Sequence, residues 1–354
     1  MKIFSTFSGI GGFEIGIHAA YIKHALISKK SEQKERPQRR ERAINQWKLL
    51  LHSGDGSAPL CVGYSEIDKY AIKVYERNFP DARNFGDITK INAEELPDFD
   101  CLVGGFPCQA FSIAGKRKGF EDTRGTLFFD LARILRAKQP RLFVFENVKG
   151  LLSHDGGRTF KTIIQTIDEL GYDCQWQVLN SKNHGVPQNR ERVYIVGHLR
   201  GTPRPEVFPI RGADSEDIKV VGSIPESVWP GRHEQIRRIH SVDGISPTIP
   251  TAQGGGVLPK IINPKMNNYT PQDVSVAITA SAYKEPPVVL PQIRRLTPKE
   301  CERLQGFPDN CTAQGIDGAI SDTQRYKMCG NAVTTNVVQA VFERIFESTM
   351  EANQ

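Results

Sequence analysis

Short apolar runs alternate with stretches of helical periodicity through the first half of the chain. The apolar runs predict six strands, at residues 2–7, 60–65, 100–105, 141–146, 174–179 and 192–199. Apolar residues at helical spacing predict helices at residues 14–26, 69–79, 127–137 and 160–170. Each helix lies between two strands, as the crossover connections of a parallel sheet require. The pattern therefore predicts an α/β fold with a doubly wound, Rossmann-like sheet.

The pattern changes after Leu199. Residues 201–292 are rich in proline and glycine, with short β-like runs and few helical patterns, which predicts a second, smaller domain of mostly β-strands and loops. Helical spacing returns at residues 298–304 and 331–346. We therefore predict one domain at residues 1–198 plus 325–354, and a smaller domain with its hinge at residues 199–324.

Charge and cysteine content narrow the class of protein. The formal net charge of +6 suits a polyanionic partner. The seven cysteines include no CxxC pair, which disfavours a disulfide framework or a structural zinc site and indicates a reducing compartment. The N-terminus has too little apolar length for a signal peptide, and apolar runs are too short for a membrane span. We expect a cytoplasmic protein with no metal.

A polar segment at residues 28–42 interrupts the strand–helix rhythm. It contains seven basic residues against three acidic ones. This composition is typical of a solvated helix extension or a flexible loop. Contact with a nucleic-acid backbone is the alternative, and the sequence leaves its role open.

A glycine-rich turn, Phe7 to Phe13 (FSGIGGF), follows the first predicted strand and opens a helix. Small residues let the backbone turn tightly and approach a ligand, and the helix N-terminus presents free N–H groups. Glu66 ends the next strand, where a carboxylate can accept both hydroxyls of a ribose. Asp87 could bond the amino group of adenine. The alternative is that the glycines serve only the turn and Glu66 is an exposed strand-end carboxylate.

Cys108 and Glu146 follow two further strands. In an open α/β sheet the carboxyl ends of the strands face the ligand crevice, so Cys108 is offered on a loop at that edge. If the two strands are neighbours, their ends lie about 5 Å apart, which brings Glu146 near Cys108. A thiolate nucleophile with a carboxylic acid opposite is a coherent pair. The alternatives are a buried structural thiol and a helix-capping carboxylate.

Eight sequence blocks occur in one order: FSGIGGF, SEIDKYA (65–71), GDIT (86–89), GGFPCQAFS (104–112), FENVKG (145–150), QNRERVYIVG (188–197), RRLTPKECERLQGFP (294–308) and CGNAV (329–333). With these blocks the chain resembles the DNA (cytosine-5) methyltransferases, of the bacterial restriction-modification type. The resemblance implies a sheet of the S-adenosylmethionine-dependent methyltransferase type, which forms the catalytic and cofactor-binding domain, and a target-recognition domain in the smaller unit.

The resemblance also implies the reaction. A methyl group would pass from S-adenosyl-L-methionine to carbon 5 of a specific cytosine in double-stranded DNA, leaving S-adenosyl-L-homocysteine. The base would be flipped out and bonded to Cys108 at carbon 6. A tRNA cytosine-5 methyltransferase with the same machinery is the alternative; the roughly 90-residue segment before Arg294 is large enough to span a duplex groove and favours DNA.

The resemblance assigns roles residue by residue. Cys108 resembles the nucleophile, Glu146 the acid at the N3 edge of cytosine, and Arg190 and Arg192 the arginines that hold the base and its phosphate. The implied cofactor-binding residues are Phe7, Gly9, Ile10, Gly11, Glu66, Ile67, Asp87, Ile88, Pro107, Asn331 and Val333. Residues 109–124 resemble a mobile loop that closes over DNA, with implied DNA-binding residues Gln109, Ser112, Lys116 and Arg124.

Two positions depart from the family pattern. Ser5 stands where Asp is frequent, which weakens one expected contact to the methionine part of the cofactor, and Ala332 stands where Ser is frequent.

The residues that read the target sequence are expected in the smaller domain. Arginine can bond two acceptors of guanine, and glycine lets the backbone approach a base edge. On this ground the predicted base-reading residues are Arg237, Arg238, Thr248, Gly254, Gly255 and Gly256.

Two other classes of protein explain less of the sequence. An NAD-dependent oxidoreductase would use the glycine turn and Glu66 but leave Cys108 and Glu146 idle. A DNA-binding module without catalysis is disfavoured because every residue the chemistry needs is present. We expect a monomer at the nucleoid that acts on double-stranded DNA. A cognate restriction endonuclease is a candidate partner in the same system, though not a stable subunit.

Overall fold

A computed structural model of the chain describes residues 1–30, 58–107, 127–213, 220–223, 226, 238–240, 245–249, 260–262 and 293–351. Part of the basic segment, residues 31–42, lies outside the described residues. The predicted site residues that also lie outside them are Cys108, Gln109, Ser112, Lys116, Arg124, Arg237, Gly254, Gly255 and Gly256.

A six-stranded sheet forms the centre of the larger unit. Its strands are β1 Lys2–Thr6, β2 Leu60–Ser65, β3 Cys101–Gly105, β4 Leu142–Val148, β5 Tyr172–Asn180 and β7 Glu191–Leu199, with the two-residue β6 Gln188–Asn189 directly before β7. Their order across the sheet is β2-β1-β3-β4-β7-β5. β1 pairs in parallel with β2 and β3, and β3 with β4, whereas β7 is antiparallel to both neighbours. The sheet is therefore mostly parallel, and its central strands are continuous buried runs.

Helices cover both faces of this sheet. The helices of the described residues are α1 Gly12–Lys30, α2 Lys69–Asn78, α3 Leu127–Lys138, α4 Arg158–Glu169, α5 Pro298–Leu304, α6 Asp322–Asn331 and α7 Thr335–Glu351. Phe4 and Phe143 pack with α3 and α4 on one face, whereas their neighbours Ile3 and Val144 pack with α1 and α7 on the other. Side chains of successive strand residues point to opposite faces, so each central strand contributes to two cores. This is the predicted doubly wound arrangement.

The predicted helix at residues 331–346 is wrong in its start. The structure has two helices there: α6 ends at Asn331, Ala332 is extended at φ −66° and ψ 150°, and α7 begins at Thr335. α6 went unpredicted because its sequence, DTQRYKMCGN, has no apolar stripe; its buried residues are Met328, Cys329 and Gly330. The remaining predicted helices and the six predicted strands are confirmed to within a few residues at their ends.

Short strands in the second half of the chain form smaller sheets. β8 Val220–Ser223, β9 Arg238–His240, β11 Lys260–Ile262 and β12 Ile293–Arg295 form a four-stranded sheet in the order β12-β11-β9-β8. β10 Ser246–Pro247 pairs in parallel with β6, and β13 Gln314–Gly315 pairs with β14 Gly318–Ala319. The division of the chain at residues 198/199 and 324/325 stays a prediction.

A buried carboxylate joins α5, α6 and the loop between them. Glu302 is fully buried, and its oxygens accept the backbone N–H groups of Asn310 at 2.6 Å and Thr312 at 3.0 Å. The Thr312 hydroxyl also donates to it, and the Arg325 guanidinium pairs with it at 3.1 Å. These donors use the lone pairs of the carboxylate. The desolvation cost of burying the ion pair is therefore offset by hydrogen bonds as well as by Coulomb attraction.

We expect Glu302→Gln to lower the free energy of unfolding by about 3 to 5 kcal/mol, as breaking one side of a buried ion pair does. The amide removes the buried counter-charge of Arg325, which keeps only the exposed Asp322 at 3.4 Å, and it turns one accepting oxygen into a donor that faces other donors. Urea denaturation followed by circular dichroism measures the loss.

The control for this variant is Glu347→Gln. The Glu347 side chain is 51% exposed and pairs with Arg344 on the surface of α7, so its loss should cost under about 1 kcal/mol. Equal small losses for both variants would contradict a structural role for the Glu302 carboxylate.

Candidate functional site

The predicted site residues that the structure describes follow strands that end at one edge of the sheet. Thr6 lies opposite Ser65 of β2 and opposite Gly104 of β3, and Gly105 lies opposite Glu146 of β4. The condition set by the sequence, that β3 and β4 be neighbours, is therefore met. Because parallel strands end at the same edge, the loops after β1, β2 and β3 meet the end of β4.

The turn after β1 has the conformation that its glycines allow. Phe7 has φ +50°, Gly9 φ +55° and Gly11 φ +87°. A Cβ atom on Gly11 would lie 2.2 Å from the Phe79 ring, so only glycine fits there. The Ile10 side chain is buried in the core with Phe79, which leaves the Ile10 backbone for a ligand. The turn delivers the chain to the N-terminus of α1.

Glu66 is held in place by three backbone N–H groups. Its Oε2 accepts Gly9 N–H at 2.8 Å, and its Oε1 accepts the N–H groups of Ile67 and Asp68, both at 2.8 Å. These bonds tie the end of β2 to the glycine turn. Each carboxylate oxygen has two lone pairs, so Oε2 keeps one for a hydroxyl group. Ile67 beside it is 72% exposed and offers an apolar surface.

The Asp87 loop is fixed from two sides. Asp87 caps the short helix Ile88–Lys90 by accepting Thr89 N–H at 3.0 Å and the Thr89 hydroxyl at 2.8 Å, and these bonds hold the pKa of Asp87 below its ordinary value. The Ile88 side chain is buried in the core. Arg133 of α3 donates to the carbonyl oxygen of Ile88 at 2.8 Å. Sequence reasoning missed Arg133, because its hydrogen-bond partner lies on a distant segment of the chain.

The segment after α6 closes the same edge. Asn331 is exposed at the end of α6, and Val333 is buried opposite the glycines of two loops. A Cβ on Gly12 would lie 2.7 Å from Val333 Cγ2, and one on Gly105 would lie 3.6 Å from Val333 Cγ1. Val333 therefore packs against the start of α1 and the end of β3.

An ion pair and a buried serine complete this part of the site. Lys327 pairs with Asp68 at 2.6 Å, which ties α6 to the Glu66 loop. Ser5 is fully buried beside Glu14, whose pKa is raised by burial. Ala332, the other departure from the family pattern, is also buried.

Glu146 lies at the end of β4 with its carboxylate almost fully buried. Arg192 Nε lies 2.9 Å from Glu146 Oε1 as an ion pair, but no donor among the described residues makes an aligned hydrogen bond to this oxygen. A Cβ on Gly105 would lie 3.2 Å from Glu146 Oε2, so a side chain there would crowd the carboxylate. The carboxylate thus keeps accepting capacity beside the end of β3.

Asn147 anchors the chain that leads to Cys108. It is 2% exposed, its Nδ2 donates to the Phe106 carbonyl at 2.9 Å, and its Oδ1 accepts Val148 N–H at 2.8 Å. Pro107, which follows Phe106, is exposed. Sequence reasoning missed this role; the one available signal was the position of Asn147 beside Glu146 at a strand end.

Arg190 is a buried cation with spare donors. It is 3% exposed, and its Nη2 donates to the carbonyls of Gly330 at 3.3 Å and Ala332 at 2.9 Å. Its Nε and Nη1 atoms have no partner among the described residues. Burial, with the nearby charge of Arg192, lowers the pKa of Arg190 to about 10, so it stays charged at neutral pH. Buried donors without a partner are rare and mark a place for a polar ligand.

Two of the predicted base-reading residues fall in the described parts of the chain. Arg238 is half-buried at the start of β9. Thr248 is exposed, but its hydroxyl donates to the Asn189 carbonyl at 2.7 Å, next to Arg190. In the same junction the buried Gln188 side chain donates to the Leu304 carbonyl at 2.7 Å and accepts Ile249 N–H at 3.2 Å. The segment around β10 is thereby joined to β6, which directly precedes Arg190 and β7.

Within the described ranges, no group of three histidine, cysteine or acidic side chains is arranged to hold a metal ion. The helices in those ranges are too short or too polar to cross a membrane.

Comparison with known proteins identifies the family. The C-5 cytosine-specific DNA methylase family matches residues 57–347. The type II methyltransferase M1.ScrFI of Lactococcus lactis subsp. cremoris is 43% identical, over 98% of this chain and 78% of the relative. The type II methyltransferase M.HhaI of Haemophilus parahaemolyticus is 36% identical, over 81% of this chain and 88% of the relative.

A solved structure shows the same fold at low identity. The S. pombe Dnmt2 methyltransferase has a TM-score of 0.64 with 18% identity, covering 100% of both chains. The family match spans most of the chain, and the relatives align with most of its length. The chain therefore belongs to the C-5 cytosine-specific DNA methylase family and is a DNA (cytosine-5) methyltransferase.

Proposed function

We propose that this enzyme transfers the methyl group of S-adenosyl-L-methionine to carbon 5 of a specific cytosine in double-stranded DNA. The target base would be flipped out of the duplex, and Cys108 would bond to its carbon 6. The observation that carries the proposal is the pairing of Glu146 with Arg192 at the end of β4, directly opposite the end of β3 that leads to Cys108.

The edge of the sheet fits an adenosine-containing cofactor. The space beside Gly9 is open, with no atom within 4 Å of a Cβ position, so a ligand can approach the backbone of the turn there. Glu66 Oε2 keeps a lone pair for a ribose hydroxyl. Ile67 offers an exposed apolar side chain beside it, and Asp87 lies in a rigid loop on the same side. When bound, S-adenosylmethionine supplies an electrophilic methyl group on its sulfonium.

Cys108 and Glu146 would have different roles in the reaction. Carbon 5 of cytosine is a poor nucleophile, and addition of the Cys108 thiolate at carbon 6 converts the ring to an enamine. Glu146 would protonate or hydrogen-bond N3 and so draw off the charge that the addition generates. Once carbon 5 has gained the methyl group, loss of its proton to a base and expulsion of Cys108 restore the aromatic ring.

The arginines would hold the flipped nucleotide. Arg190 carries two buried donors without partners in the described residues, and Arg192 pairs with Glu146. Phosphate and base oxygens are the acceptors that a guanidinium binds best. We propose that Arg190 and Arg192 contact the target nucleotide next to Glu146.

Sequence choice is proposed to lie in residues 201–292, with Arg238 and Thr248 among its candidates. The junction of β6 with β10 supports a link between that segment and the arginines.

Restriction-modification enzymes are paired by their common target sequence, so a cognate endonuclease is the proposed partner in the same system. The enzyme would act at the nucleoid as a monomer.

The substrate class is tested by offering double-stranded DNA and tRNA to the purified enzyme with labelled S-adenosylmethionine. We expect label in DNA only, because the relatives at 36–43% identity are named type II methyltransferases. Bisulfite sequencing of the product then gives the target motif. Label in tRNA and none in DNA would contradict the proposal.

Glu146→Gln should lower kcat by at least about 100-fold, because an acid that acts in the transition state is lost. The dissociation constant for S-adenosyl-L-homocysteine, measured by calorimetry, should change little. The control is Glu169→Gln, at the exposed end of α4. A large loss of cofactor affinity with kcat preserved would place Glu146 in the cofactor pocket instead.

Cys108→Ala should abolish turnover while S-adenosyl-L-homocysteine still binds, because the thiolate acts on the base. With the unsubstituted enzyme, DNA that carries 5-fluorocytosine at the target should form a stable adduct, since fluorine cannot leave as a proton does. Denaturing electrophoresis detects the adduct. Cys174→Ala, a half-buried thiol on β5, serves as the control. An active Cys108→Ala enzyme would contradict covalent attack.

A further inference from the structure

Asn84 lies between the two loops that carry Glu66 and Asp87. The backbone around it runs alongside β2: Tyr64 N–H donates to the Arg83 carbonyl at 2.9 Å, and Phe85 N–H donates to the Tyr64 carbonyl at 2.7 Å. Tyr64 and Asn84 form a parallel bridge. This short stretch therefore extends the edge of the sheet and ends level with the carboxyl end of β2.

The Asn84 side chain bonds to both loops at once. Its Oδ1 accepts Gly86 N–H at 2.9 Å and Glu66 N–H at 3.3 Å, and its Nδ2 donates to the Glu66 carbonyl at 3.3 Å. The Ser65 hydroxyl adds a second link by donating to the Gly86 carbonyl at 2.7 Å. One amide group thus clamps the backbone of Glu66 on both its N–H and its carbonyl.

This clamp sets the place from which the Glu66 carboxylate reaches the glycine turn. With the Glu66 backbone held, the side chain bonds to Gly9 N–H and keeps one lone pair on Oε2. Gly86, the other partner of Asn84, has φ +75° and directly precedes Asp87. The amide therefore also sets the start of the Asp87 loop.

We propose that Asn84 is a positioning residue for the cofactor, which fixes the distance between the Glu66 carboxylate and the Asp87 loop. The inference rests on the proposed function, in which these two loops hold the ribose and the adenine of S-adenosylmethionine. The ribose and the adenine are joined by a rigid glycosidic bond, so the two loops must be placed together for both to bind. An aligned hydrogen bond to a ribose hydroxyl needs this placement to within a few tenths of an ångström.

The first test measures binding of S-adenosyl-L-homocysteine by isothermal titration calorimetry. Asn84→Ala should weaken it about 10-fold, the effect of losing roughly one to two net hydrogen bonds. In steady-state assays KM for S-adenosylmethionine should rise by a similar factor, while kcat and KM for DNA stay nearly unchanged. Asp81→Asn, exposed in the same connection, is the matched control and should bind as the unsubstituted enzyme does.

The second test separates positioning from general loosening of the pocket. The unsubstituted enzyme should prefer S-adenosyl-L-homocysteine over its 2′-deoxy analogue, because the analogue lacks a hydroxyl for Glu66. In Asn84→Ala this preference should fall at least about threefold, because the carboxylate is no longer held in place. If Asn84→Ala is insoluble, Asn84→Asp replaces it; the aspartate keeps an acceptor for Gly86 N–H but loses the donor to the Glu66 carbonyl.

The outcomes distinguish a positioning role of Asn84 from a general loosening of the pocket. A fall in affinity with a collapsed preference for the 2′-hydroxyl supports the positioning role. Unchanged affinity, or an equal loss for both nucleosides, overturns it while leaving the proposed function intact. Failure of the unsubstituted enzyme to bind S-adenosyl-L-homocysteine would overturn the proposed cofactor itself, and with it the role of Asn84.

Discussion

The parallel pairing of β3 with β1 and β4 is the constraint on which the candidate site depends. It places Gly105 opposite Glu146 and brings the turn after β1 to the same edge. Side chains alternate between the faces of a strand, so a slip of one residue would send Glu146 to the wrong face. The register is specified because both faces are buried: Val144 packs with α1 and α7, and Phe145 packs with α3 and α4.

Glu146 follows the same alternation and points to the face of Val144. Val333 packs on that face too, over Gly105 and Gly12, where side chains would clash or crowd. The absence of side chains at these two glycines lets the chain after α6 approach the strand ends closely. The positions of the site residues therefore follow from the packing on both faces of the sheet, which fixes the register of its strands.

Two buried groups of charged side chains differ in how far their hydrogen bonds are satisfied within the described residues. Glu302 is surrounded by donors from Asn310, Thr312 and Arg325, and so it contributes to the fold. Glu146 Oε1 is paired with Arg192 but accepts no aligned hydrogen bond from the described residues, and the Nε and Nη1 donors of Arg190 make none there either. Burying a polar group without a hydrogen bond costs free energy, and a ligand that supplies the partner recovers it. The incomplete group is therefore the one suited to binding.

The sequence by itself determined most of the secondary structure and the family. Continuous apolar runs and helical spacing located the six central strands and most helices, because these patterns depend on neighbours within one element. The motifs around Cys108 and Glu146 indicated the chemistry, because each places a particular functional group at a strand end. The break between α6 and α7 was missed, since α6 has no apolar stripe and its burial comes from distant parts of the chain.

Only the tertiary structure decided which groups meet. The antiparallel direction of β7 brings Arg192 to Glu146, and neither residue's local sequence contains that information. Three further contacts also join separate segments: Gly9 N–H with the Glu66 carboxylate, the Thr248 hydroxyl with the Asn189 carbonyl, and the Asn84 side chain with the Glu66 backbone. The physical reason is that periodicity reports whether a side chain is buried, whereas the partner of a polar group is set by strand order and register.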